Sequence, residues 1–164
     1  MEGLKVVANL TLQDFVLSNG ASLWLSPQNR YGLLGVCVVL PALMLNSFES
    51  YIRTVIGSLV IGATGTFVVI GLMARFNPNL NRGVLGRHEF EISETGFLER
   101  TEYNETTHGW GSIDIVAEMF GLLMIRVGGA HWHVIPIRHF SDAEHRETFK
   151  QQVRIRSKEW TRSK

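Results

Sequence analysis

Two stretches of the chain carry no charged residue: Tyr31 to Phe48, and Thr54 to Ala74. As helices rising 1.5 Å per residue they would extend about 27 Å and about 31 Å, close to the ~30 Å hydrocarbon core of a bilayer. Only Glu49-Ser50-Tyr51-Ile52-Arg53 separates them, and so short a connection makes the two helices antiparallel neighbours. The pattern predicts a transmembrane helical hairpin over residues 31–76, with a first helix over 31–48, kinked at Pro41, and a second over 54–74. Ser58, Gly62 and Thr66 recur at four-residue spacing, a small-residue stripe suited to packing on the first helix or to homodimerisation. Neither window holds an ionisable residue to line a pore.

Basic residues near the outer ends of the windows (Arg30, Arg75, Arg82, Arg87) outnumber the single Arg53 of the connector, which predicts both termini in the cytoplasm. The start Met1-Glu2-Gly3-Leu4-Lys5 is unlike a secretory leader. The lone cysteine, Cys37, falls inside the first window and has no partner for an intrachain disulfide.

Outside the windows the chain is charge-rich. Residues 84–137 carry three Lys/Arg against eight Asp/Glu, and residues 138–164 carry eight against four, so an acidic middle is followed by a basic tail. Residues 1–30 read as a strand, Leu4 to Leu10, and an amphipathic helix capped by Thr11 with Asp14 three positions on. That helix, interrupted near Asn19-Gly20, is expected either to pack on the polar part of the chain or to lie in a membrane interface with Trp24 at headgroup depth. After a linker, Asn77 to Gly83, the period changes to that of strands. Strands are expected over Glu89–Ile92, Phe97–Tyr103, Trp110–Glu118, Leu122–Val127 and His131–Ile137, with turns at Ser93-Glu94-Thr95-Gly96 and Gly128-Gly129. Ser141-Asp142-Ala143-Glu144 then caps a helix with Phe149, Val153 and Trp160 on one stripe. Residues 84–164 are therefore predicted to form an antiparallel meander of about five strands closed by a C-terminal helix. The N-terminal strand is available to complete the sheet.

Leu10-Thr11-Leu12-Gln13-Asp14-Phe15, Ile92-Ser93-Glu94-Thr95-Gly96-Phe97, Trp110-Gly111-Ser112-Ile113 and above all Ile135-Pro136-Ile137-Arg138-His139-Phe140 occur in an order that resembles the YcxB-like family of small bacterial membrane proteins. The resemblance covers nearly the whole chain. It implies an α+β membrane protein: a transmembrane hairpin in the inner (plasma) membrane followed by a half-barrel like a pleckstrin-homology (PH) domain. It implies no catalytic residue. Ile137 stands where a basic residue is expected, so no basic patch is inferred there.

Little chemistry is visible in the motifs. His131 and His133 alternate onto one strand face, but no Cys, Asp or Glu accompanies them at ligand spacing, so no metal or cofactor is expected. The run Glu99, Glu102, Glu105 reads as solvated surface. No nucleophile motif or phosphate loop is present, and a non-enzymatic role is expected. Trp110 and Pro136 read as structural. Lys150, Arg154, Arg156, Lys158, Arg162 and Lys164 form a basic tail. It reads as a solvated helix face, or as a contact to anionic lipid or a partner through Arg154, Arg156, Lys158 and Arg162. Nucleic acid is not expected, since no aromatic platform accompanies the charge. Two functions follow. One is a membrane-anchored interaction module binding a protein or anionic lipid. The other is a small integral-membrane regulator or immunity protein acting on a membrane toxin or another membrane protein.

Overall fold

The computed structural model describes residues 4–26, 31, 48–76 and 83–162. Among these residues the chain is an α+β fold with two antiparallel sheets and three α-helices. By contacts it divides into two units, one made of Met1–Ser18 with Pro78–Lys164, the other of Asn19–Asn77.

In the first unit, β1 (Lys5–Leu10), β2 (Gly86–Ile92), β3 (Gly96–Thr101) and β4 (Glu105–Gly109) form a four-stranded sheet in that order. The N-terminal strand does complete the sheet: Val6 pairs with Phe90 and Leu10 with Gly86. Strands β5 (Ile113–Met119), β6 (Leu122–Val127) and β7 (His131–Pro136) form a second sheet, so the strands divide between two sheets and do not make one continuous meander. The division falls at Trp110–Ser112, a single 3-10 turn that ends β4 and starts β5 in a new direction. Trp110 was expected to open a strand; it sits in this turn instead, buried, with its indole N–H donating to Glu94 O at 3.3 Å. The sequence does not announce β4, because Glu105-Thr106-Thr107-His108-Gly109 shows no apolar alternation; it is an edge strand.

Alternation along the strands builds the core. Val6, Phe90 and Phe97 from one sheet, and Leu123, Ile125 and Ile135 from the other, belong to one buried cluster. The helix α3 (Ala143–Arg162) adds Phe149 and Val153, both fully buried, and Phe149 meets Phe97 edge-on at 6.5 Å. Its cap is Asp142, whose Oδ1 accepts from His145 N at 2.7 Å, one position later than the serine expected. The β5–β6 turn is Phe120-Gly121, both at positive φ (53° and 75°), the pairing that matches strand twist in a two-residue hairpin.

Helix α1 (Leu12–Leu25) starts at the expected cap. Thr11 N and Thr11 Oγ1 both donate to Asp14 Oδ2, at 2.9 and 2.7 Å, and Asp14 N reaches back to Thr11 Oγ1. The helix runs on through Asn19-Gly20, since one glycine costs only about 1 kcal/mol. Trp24 is exposed.

In the second unit, α2 (Phe48–Phe76) contains the predicted second membrane helix. The transmembrane hairpin is not upheld: among the described residues no helix is long and apolar enough to cross a membrane. Gly57, Ser58, Gly62, Thr64, Gly65 and Gly71 are spread among the branched residues of α2, and Glu49, Arg53 and Arg75 bracket them. The fold class with a membrane hairpin, the membrane-centred description and the multi-pass inner-membrane localisation with cytoplasmic termini are all withdrawn on that finding. The predicted first helix, with Cys37 and Pro41, lies outside the described residues apart from its ends. Ser58 and Gly62 are half-buried on α2, and Thr66 lies on the same helix.

Candidate metal centre

Strand alternation sends every second side chain of a sheet to its inner face. In the four-stranded sheet many of those positions are apolar, but three carry ionisable side chains. His88 precedes Phe90 by two on β2, Glu99 follows Phe97 by two on β3, and His108 is the cross-strand partner of Phe97 on β4. His133 enters from β7 of the other sheet, two residues before buried Ile135. Four polar side chains from four strands thus meet at one edge of the core.

Glu99 holds them together. Its Oε1 lies 2.9 Å from His88 Nδ1 and its Oε2 lies 2.8 Å from His133 Nδ1. The rings of His108 and His133 are 4.5 Å apart between centroids. The side chains of His88, Glu99 and His133 are 3%, 19% and 10% exposed, so burial deepens toward His88. Nε2 is buried without a hydrogen-bond partner in His88, His108 and His133 alike. Such atoms cost about 1–3 kcal/mol each when left unmet. The donor atoms of Glu99, His108 and His133 all lie within 4.8 Å of one another. Tetrahedral zinc, with bonds near 2.0–2.1 Å, needs its donors about 3.3 Å apart, within reach of small side-chain rotations.

Of the three donor groups, Glu99 and His108 are held in forms that suit a cation. Burial pushes the Glu99 carboxyl up, but hydrogen bonds from His133 and His88, and their charge, outweigh it and hold the group at about 2. For His108, burial and then the neighbouring His133 push the imidazole down, against the pull of Glu99. An ionised carboxylate and a neutral imidazole are the forms that bind metal.

The other residues singled out in the sequence lie elsewhere. His131 is exposed at the start of β7, near enough to bear on His108 electrostatically. Arg154 donates to Val116 O and Arg156 to Ser93 O, both at 2.9 Å, with Arg156 also over the Trp110 ring at 5.5 Å. Those two arginines brace α3 against the sheets. Lys158 is exposed beside a cleft of about 650 Å³ lined also by Ile113, Asp114, Ile115, Val116, Arg154 and Ser157. Arg162 is the last residue of α3. Glu102 and Glu105 are exposed as expected, whereas Glu99 turns inward. The cluster could have been noticed as polar residues holding core parity: His88-x-Phe90, Phe97-x-Glu99 and His133-x-Ile135. Comparison of the chain with protein-family models, with curated proteins and with solved structures finds no match.

Proposed function

We propose that this domain is a binding module for a divalent transition metal, zinc in the first instance, held by Glu99, His108 and His133. The observation that carries the reading is the convergence of three donor groups within 4.8 Å, two of them imidazoles with an unpartnered nitrogen. Mixed imidazole and carboxylate ligands suit Zn²⁺ better than Mg²⁺ or Ca²⁺, which favour oxygen donors. A structural ion network would need only the Glu99 bonds to His88 and His133. It gives no reason for His108 to sit against them with its Nε2 unmet.

Isothermal titration of the chelator-treated full chain with Zn²⁺ tests this. One ion per chain is expected, with His108→Ala or His133→Ala weakening affinity at least tenfold. No heat in the wild type, or an unchanged isotherm in the double variant, would remove the reading.

A second reading, a protein-binding module, draws on the cleft beside β5. That strand is the outer one of its sheet, and an extended peptide can add to such an edge. Protection of β5 amides from hydrogen exchange in the presence of a bound peptide would support it, and a titration that leaves β5 unchanged would count against it.

A further inference from the structure

We propose that the centre holds its metal by three protein ligands only and takes a small anion from solution as the fourth, with His88 positioning Glu99 and not ligating. This rests on the metal-binding reading above. The two oxygens of Glu99 have separate partners, Oε1 with His88 and Oε2 with His133. A metal placed among Glu99, His108 and His133 therefore draws on the Oε2 side, and His88 keeps its bond to Oε1. That is the usual arrangement of an outer hydrogen bond that fixes the orientation of a metal-binding carboxylate. His88 is the most deeply buried of the group, at 3% exposure, and stacks on Phe90 at 5.9 Å. It is not among the residues whose donor atoms lie within 4.8 Å of one another.

Three protein ligands leave one position of a tetrahedral ion to an outside donor, the pattern of exchangeable sites and not of closed structural ones. Charge selects that donor. A divalent ion with one carboxylate and two neutral imidazoles has a net charge of about +1, and a partly buried positive centre favours an anion. The Glu99 side chain is 19% exposed, so the centre is not sealed from solvent. The class expected is a compact monoanion, such as hydroxide, azide or a small carboxylate.

Cobalt(II) makes this visible, because the intensity and position of its visible bands report coordination number and ligand change. The full chain is loaded with one Co²⁺ and titrated with azide. Bands of a four-coordinate ion that shift saturably with azide are expected. His88→Gln is expected to keep one Co²⁺ and the same azide response while binding metal about 10–100-fold more weakly. If the wild type binds Co²⁺ but azide leaves its bands unchanged, the sphere is closed and the inference falls while metal binding stands. If His88→Gln alters the metal-only spectrum, His88 is itself a ligand, with the same consequence. If Co²⁺ does not bind to the wild type, the metal reading falls and takes this inference with it. The azide titration of the wild type decides the matter even if the variant does not fold.

Discussion

Gly96 lies so close to the backbone of His108 that a side-chain carbon at position 96 would overlap the His108 carbonyl group, 2.8 Å from its carbon. The contact is backbone on backbone, with no flexible side chain to yield. Gly96→Ala is therefore expected to destabilise the fold by about 1–3 kcal/mol. It should also push β4 outward and carry His108 away from Glu99, so that zinc affinity falls together with stability. Gly109 is the cross-strand partner of Gly96, but a carbon added there meets nothing within 4 Å. Gly109→Ala should leave both thermal midpoint and zinc isotherm unchanged, and equal effects of the two substitutions would refute the account.

Asp14 is almost fully buried, yet it answers to a partner far along the chain. Arg138 clasps it with two bonds, Nη1 to Oδ1 at 2.7 Å and Nη2 to Oδ2 at 2.6 Å. Burial pushes the Asp14 carboxyl up, but the hydrogen bonds from Arg138 and Thr11 prevail and hold it below its ordinary 3.8. The Arg138 guanidinium is raised in turn by its bond to Asp14. A depressed carboxyl contributes stability that is fully present above 3.8 and is lost as pH falls through the lowered value. Asp14→Asn should cost about 1.5–3 kcal/mol near neutral pH, the range for hydrogen bonds to charged groups. In urea titrations the gap between variant and wild type should narrow as pH drops below 3.8. A gap that stays constant down to acid pH would show that charge is not the source.

These two cases show what the sequence could and could not disclose. The Thr11–Asp14 cap is legible because its partners are three residues apart and local geometry suffices. The clasp from Arg138 is not, because nothing within either segment points to the other. The same holds at the metal centre. His133 was visible with His131 on one strand, but its carboxylate neighbour arrives from β3 and a further imidazole from β4, a strand whose polar residues gave no period to read. Alternation identified most of the strands and their turns. It could not reveal that the 3-10 turn at Trp110 would split them into two sheets. The charge-free windows failed differently: a run without charges does not by itself make a membrane span, and among the described residues no helix is long and apolar enough to be one.

Trp110 joins the two sheets to α3 and should be costly to remove. Trp110→Ala is expected to lose about 3–5 kcal/mol, or roughly 6–20 °C in Tm for a chain of this size. Trp110→Phe keeps the ring but loses the bond to Glu94 O, and should cost less. Differential scanning calorimetry compares the three proteins, and an unshifted Tm in the alanine variant would contradict the structural role.

Phe120 is the one described residue other than glycine with a positive φ, at 53°, and the residue is 51% exposed. The left-handed region costs most L-residues about 1–2 kcal/mol, whereas asparagine tolerates it. Phe120→Asn should therefore raise the urea midpoint by the equivalent of about 0.5–1 kcal/mol without changing the slope. A lowered midpoint would mean that the ring supports the fold by contacts the turn geometry does not explain.

The pairing of β1 with β2 has a consequence for how the protein is made. Leu10 and Gly86 are cross-strand partners, yet about 75 residues separate them; at the usual 5–20 residues per second a ribosome needs about 4–15 s to cross that gap. Throughout that interval the first strand has left the tunnel with no edge to join, and closing so distant a contact also slows folding itself. The nascent chain thus carries an unpaired apolar strand, Val6 and Ala8 included, that only later synthesis can shelter. A holding chaperone would find a substrate in Lys5–Leu10 until β2 has been made.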